Sequence, residues 1–376
     1  MANLSKTRTI FAFTSPRTIE KIIPEINVLV KYFNRQEWNT KNQIMFFYKL
    51  FNSSFYEGNK MPKNISLAAR DRITRAPKAL GFIDLKPTIQ LTEAGEQLLS
   101  GKRTNEVIAR QLFKFQLPSP YHKIPSDRKF NIRPYLELLR LIKELGNLSK
   151  TEIAIFFVQM THYKKFEKIV SKIKKFRVDS INNKSNRKDF IDQSFTKEIL
   201  KIYKQEINTS NLQTRESNDH SLVKFIKTKK SNHVDYADAF IRYLRATQLI
   251  SFDKKTFRLI IAPSHVEEVD FILNNIERKS LITTEGDYKK YLFSSTSLTL
   301  LTDNREYLEK RLENISVRFN EKMDIDSLKD LLEITEKKII IETIKETEIS
   351  LKNYKEFDDI ISVFGKINKK EIPDPP

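Results

Sequence analysis

The 376 residues include no cysteine, only 7 glycines and a single tryptophan. Without cysteine there is no disulfide framework, zinc ribbon or thiol nucleophile. No Gly-rich phosphate loop is present, and His122, His162, His220, His233 and His265 show no metal-ligand spacing. No apolar run approaches the ~20 residues that a membrane helix needs. Before Pro16 there is no apolar segment of secretory-signal length. These absences predict a cytoplasmic protein with no membrane partner, no metal ligands and no catalytic residues of its own.

What is abundant is positive charge. Sixty-seven Lys and Arg against 48 Asp and Glu leave a formal charge of +19, and such a field concentrates near phosphates. A coding bias towards Lys, Asn and Ile produces part of the same excess, so the clustering of charge says more than its sum. The length suggests two or three domains, and three are expected.

The clearest cluster lies between Asn64 and Lys123. Ala69, Ile73, Ala76 and Leu80 define the apolar face of a helix, and Arg75 points away from it with Arg70 and Arg72 on its flanks. Pro77 should end or kink this helix near Arg75, and Gly81 should close it. Phe82 to Leu85 and Thr88 to Leu91 then form a hairpin around Lys86-Pro87. Thr92 caps a helix that ends at Gly101, and a polar stretch, Lys114 to Lys123, follows. Helix, hairpin and helix in this order match a winged helix, which presents one helix to DNA. Lys78, Lys114, Gln116, Ser119, Tyr121, His122 and Lys123 join the candidate contacts. For His122 a hydrogen-bonded structural role fits as well.

Upstream, Thr9 to Phe13 is β-prone, Thr18 should cap a helix cut off at Pro24, and Arg17 sits at that helix N-terminus. The place suits a phosphate, although a solvated turn arginine fits the same residues. Asn42 to Phe51 reads as a buried packing helix. Downstream, a helix from Arg133 to Leu145 ends at Gly146, and Ser149 with Glu152 makes a capping box for Lys150 to Met160. A further helix runs through Phe166 and Ile173. Residues 178–232 read as a basic, mobile insertion around one amphipathic piece, Thr196 to Ile207. At Asp235 a helix bearing Arg242 and Arg245 precedes a second hairpin, Leu249 to Ile261, and Pro263 starts another helix. Beyond Lys279, Leu308, Leu312, Ile315 and Phe319 begin a set of helical stripes.

The expected fold is therefore mainly α with small β-hairpins. It comprises two winged-helix (helix-turn-helix) subdomains at 1–132 and 133–279, the second carrying the insertion, and a helical linker at 280–376. Two carboxylate sets have the spacing of a metal-dependent nuclease, Asp270 with Glu277-Arg278-Lys279 and Asp330 with Glu336-Lys337-Lys338. Both fall in helical patterns where strands are required, so neither is taken as catalytic.

Ser15-Pro16-Arg17, Glu20-Lys21-Ile22, Arg70-Asp71-Arg72, Gly81-Phe82 and Thr92-Glu93-Ala94-Gly95 resemble the AlwI-type type IIS restriction endonucleases and related large subunits that nick one strand. Lys114, Gln116, Pro118, Ser119, His122 and Lys123 continue the match, as do Leu148-Ser149-Lys150 and Ala237-Asp238-Ala239 with Arg242, Tyr243 and Arg245. The resemblance implies winged-helix recognition of double-stranded DNA, a helical linker, and a C-terminal PD-(D/E)xK domain that uses Mg²⁺ to cut at a distance from an asymmetric site. The chain stops at Pro376, where that domain would begin. The expectation is a chain that recognises DNA, is inactive alone and works with a separate nuclease domain or subunit. A non-enzymatic winged-helix regulator or replication initiator is the alternative.

Overall fold

The computed structural model describes residues 4, 7–16, 18–56, 58, 60–182, 186–214, 217–307 and 309–310. Ile19, Ile22, Ile26, Leu29 and Phe33 recur at helical spacing and are buried along α1 (Ile19–Phe33). The break expected at Pro24 does not occur. An interior proline costs a helix about 3 kcal/mol, and an apolar stripe in which each buried aliphatic contributes roughly 1.5–3 kcal/mol outweighs it. Thr18 occupies the N-cap without a side-chain hydrogen bond.

Asn39 caps α2 (Thr40–Phe51), which buries Phe46, Phe47 and Leu50 but exposes Met45 and Tyr48. It is two-faced, not the wholly buried helix expected. Asn64 caps α3 (Ile65–Thr74), whose Ala69 and Ile73 face the core. Arg75 forms the joint to the short α4 (Ala76–Ala79), so the helix breaks where Pro77 requires. Thr9 to Phe13, β-prone in sequence, joins no strand among the described residues. Ile10 donates its N–H to Val158 O at 2.9 Å, and Ile10, Ala12 and Phe13 are buried among helices.

Gly81, at φ +78°, turns the chain into the hairpin of β1 (Ile83–Asp84) and β2 (Gln90–Leu91), paired antiparallel with Ile83 opposite Leu91. The segment between α1 and α2 lies beside it: Arg35 N–H donates to Ile89 O and Ile89 N–H to Gln36 O, both at 2.8 Å. Thr92 caps α5 (Glu93–Leu99), accepting from Gly95 N–H at 3.0 Å, and α6 (Thr104–Lys114) follows. A Cβ on Gly95 would stand 2.0 Å from Phe82 O and 2.7 Å from Leu91 Cδ1. Gly95→Ala must therefore push the hairpin off α5, at a cost of roughly 3 kcal/mol, the upper part of the overpacking range. Urea unfolding checks this, and an unchanged midpoint would contradict the packing described.

A related succession follows, with further helices set in before the last helix ahead of its hairpin. Gly146, at φ +73°, ends α7 (Pro134–Leu145), and the Ser149–Glu152 capping box starts α8 (Lys150–Ile155). Between these helices, Leu148 pairs with Leu259 through N–H···O bonds of 2.9 and 2.8 Å. The segment expected to be a mobile insertion is largely helical. α9 (Phe166–Asn182), α10 (Arg187–Ile202) and α11 (Lys204–Asn208) precede the long α12 (Leu222–Arg245). Phe195, Ile199, Tyr203 and Phe225 from this region are buried in the main core. They are sparse among Lys, Asn and Gln, so composition hides them, but helical spacing gathers them on one side.

After α12 comes the hairpin of β3 (Ile250–Phe252) and β4 (Leu259–Ile261), with Ile250 opposite Ile261, and then α13 (Val266–Asn275). Glu152 joins three of these parts. Its buried carboxylate accepts from Arg177 of α9 at 2.7 and 3.1 Å, from Arg258 of the hairpin, and from Ser149 N–H at 2.8 Å.

The chain beyond Lys279 returns to the first half. α14 (Glu285–Phe293) buries Tyr288 and Leu292, and the Gly81 backbone accommodates Leu292 only because it has no Cβ. Arg110 Nε donates to Leu298 O at 3.1 Å, Arg133 Nε to Lys279 O at 3.3 Å and Ser280 Oγ to Leu117 O at 2.8 Å. One hydrophobic cluster runs from Ile10 to Leu300. The stripe beginning at Leu308, and the Asp330 carboxylate set, lie outside the described residues.

Candidate nucleic-acid interface

The outer face of α3 is an open basic surface. Lys63, Asn64, Leu67 and Arg70 are exposed in succession. Ala69 and Ile73 anchor the opposite face, so the helix is held with this side outward. Arg70 carries no side-chain partner among the described residues, which leaves its five N–H donors available. Its neighbours are engaged. Arg72 pairs with the buried Glu25, and its guanidinium lies 4.9 Å from the Tyr56 ring centre. Arg75 donates to Asp71 at 2.8 and 3.1 Å. Burial pushes the Glu25 carboxyl up to about 7, while Arg72 pulls it the other way.

The polar stretch after α6 is turned inward. Lys114 is buried, and its Nζ donates to Ser294 O at 2.6 Å and Gln111 Oε1 at 2.9 Å. Burial, with Arg110 adding repulsion, lowers the Lys114 amine to about 7. Gln116 Nε2 donates to Ile282 O at 2.5 Å. The Ser119 hydroxyl and His122 Nδ1 are 3.0 Å apart and buried. Burial, then the Lys78 charge, lowers His122 to about 4. Tyr121 is buried against Tyr288, and Lys78 Nζ sits 4.8 Å from the Tyr121 ring centre. Of this group only Lys123 is exposed. These side chains hold the returning segment, so the arrangement brings Arg70 and Lys123 to the surface but not Lys114, Gln116, Ser119, Tyr121 or His122. Arg17 lies outside the described residues.

At the second hairpin, Arg242 pairs with Asp238 on α12, and Arg245 is exposed with its guanidinium 5.0 Å from the Phe252 ring centre. Lys254, Lys255 and Phe257 at the hairpin tip are exposed as well. Sequence reading passed over Lys63, Leu67 and Phe257. Helical spacing from Ala69 and Ile73 places Leu67 outward, but nothing local marks an apolar residue there as functional.

Of the first nuclease-like set, Asp270 and Arg278 are engaged elsewhere. Asp270 sits on α13 and pairs with Lys143, while Arg278 forms two 2.7 Å bonds with Glu137. Among the described residues no three His, Asp or Glu side chains are grouped to hold a metal ion, and no helix is long and apolar enough to cross a membrane.

Fold and surface thus define a mainly helical protein with small hairpins and basic faces on α3 and beside the second hairpin. The model of the AlwI restriction endonuclease family matches residues 78–370, and the chain belongs to that family. A solved structure of the BpuJ1 endonuclease binding domain, in complex with pyrene- and phenanthrene-modified DNA, is 16% identical. That similarity covers 76% of this chain and 96% of that one at a TM-score of 0.46. Comparison with curated proteins returns no match.

Proposed function

We propose that the chain recognises a short asymmetric sequence in double-stranded DNA, as the recognition part of a type IIS restriction or nicking endonuclease. Residues 1–132 and 133–279 serve as two winged-helix subdomains, and the linker begins at 280. Cleavage belongs to a Mg²⁺-dependent PD-(D/E)xK domain distinct from these two. The observation that carries the reading is the recurrence of three helices and a hairpin, α1, α2 and α3 in the first copy and α7, α8 and α12 in the second, where α9–α11 are interposed. In each copy the segment between the first two helices hydrogen-bonds beside the hairpin, through Arg35 and Gln36 with Ile89 and through Leu148 with Leu259. In that arrangement the third helix faces DNA. In the first copy this is α3, with Arg70 and Leu67 outward.

An arginine donates two hydrogen bonds to guanine in the major groove, and an apolar side chain contacts the thymine methyl. Lys123 holds a phosphate. Arg70→Ala is expected to relax sequence preference by ~1–3 kcal/mol, about 5- to 150-fold. Lys123→Ala should weaken binding to all sequences alike and lower the salt slope by about 1. Titrations of both variants against specific and random duplexes check the assignment. A uniform loss with Arg70→Ala would make α3 a backbone-holding element.

A further inference from the structure

The tip of the second hairpin carries a residue that its local structure does not favour. Asp253 shapes the turn by accepting from Lys255 N–H at 3.1 Å, Thr256 N–H at 2.7 Å and the Thr256 hydroxyl at 2.7 Å. Phe257 N–H donates to Asp253 O at 2.9 Å and Asp253 N–H to Arg258 O at 2.8 Å, closing the loop. This closure puts Phe257 at φ +53°, in the left-handed region where glycine is at ease and a bulky side chain is strained. The ring gains little burial in exchange, because Phe257 is 79% exposed. Backbone preference and packing both argue against phenylalanine here, and strain held for so little packing benefit points to a contact outside the chain.

The surroundings indicate the chemistry of that contact. Lys254 and Lys255 are exposed in the same turn, and Arg245 lies against Phe252, the last residue of β3 before the turn. Asp253 is the one acid in the turn, and its Oδ1 is taken up by the turn's own donors. An exposed apolar ring on a turn that also carries two cations suits a surface with a charged rim and an apolar interior, and the DNA minor groove has both: phosphates on its walls and stacked bases at its floor. The hairpin is also held firmly. Leu259 pairs with Leu148, and Arg258 is gripped by Glu152 and by Asn147 Oδ1, the latter at 2.6 Å. A tip positioned before binding loses little freedom on binding.

We propose that Phe257 is a wedge that enters the minor groove and presses between adjacent base pairs, while Lys254 and Lys255 hold the flanking phosphates. The inference rests on the reading that this chain binds duplex DNA, and it adds that the bound duplex is distorted at one step. Base–aromatic contact replaces ring hydration, and opening the stack is offset by the wider protein contact that a bent duplex allows.

The test uses the full chain and duplexes of its selected sequence, with 2-aminopurine placed in turn at each step. Wild type should brighten the probe at one step. Phe257→Gly should abolish that signal and weaken binding about tenfold or more, while its thermal midpoint equals or exceeds wild type because glycine accepts the left-handed backbone. Phe257→Leu, which keeps an apolar wedge, should retain most of the signal. The wedge is overturned if Phe257→Gly binds within about twofold of wild type, or if wild type binds and brightens no step. Absence of any duplex binding by wild type would instead remove the DNA-binding reading, and the wedge with it.

Discussion

Between pH 6.5 and 4.5 the protein is expected to lose about 2 kcal/mol of stability, the balance between two histidines buried in their neutral form and one buried carboxyl. Burial lowers His122 to about 4 and His233 to about 3, the latter despite its hydrogen bond to Ala154 O. Unfolding returns both to about 6.5. A base whose folded pKa is depressed contributes stability that is present above the unfolded value and is lost as pH falls towards the folded one. Two such groups over two pH units amount to roughly 5 kcal/mol at 1.36 kcal/mol per unit. Glu25 acts in the opposite sense. Its carboxyl is raised from 4.5 to about 7, so its contribution is present below 4.5 and lost as pH rises through 7, worth roughly 3 kcal/mol in the other direction. The histidines win, leaving a net loss of about 2 kcal/mol. Glu25→Gln should expose the full histidine slope, and His233→Phe in that background should about halve it. Urea unfolding at pH 6.5, 5.5 and 4.5 decides the point, and equal stabilities in Glu25→Gln would contradict the neutral burial of these rings.

Glu152→Ala is the second large effect. Removing a buried carboxylate strands the charges it pairs, typically at 3–5 kcal/mol. Because Arg177 and Arg258 keep about a quarter of their side-chain surface exposed, the lower end, about 3 kcal/mol, is expected. The capping box of α8 goes with it. Burial pushes the Glu152 carboxyl up, but bonds from Arg177, Ser149 N–H and Arg258 outweigh burial and hold it below its usual range. Its contribution is therefore present above about 4.5 and lost on further acidification, below most of the histidine window. Glu152→Gln keeps an acceptor and should lose less. Denaturant midpoints at pH 7 measure both variants, and a Glu152→Ala loss below about 1 kcal/mol would mean that the arginines are satisfied by water.

The parts legible in the sequence were those encoded locally. Pro77, Gly81, Thr92, Gly146 and the Ser149–Glu152 box each announce a break, turn or cap within a few residues, and each does so in the structure. Family membership was legible from the same stretches. What local pattern could not reveal was which cations are spent internally. Lys114 and Gln116 look like surface residues until Ser294 and Ile282, more than 160 positions away, close over them. Arg72 looks like a reading residue until Glu25 meets it from α1. Pro24 misled because a single-residue penalty was set against a packing term that appears only when α1 meets its neighbours.

Between Asn64 and Lys123, the surface proposed to read DNA is the outward face of α3, with Arg70 at its centre. Selection of bound duplexes from a randomised pool tests this most directly. Wild type should enrich one short asymmetric sequence, and Arg70→Ala should enrich the same sequence with at least one position relaxed. A wild-type pool without enrichment, or a symmetric palindrome, would contradict the account.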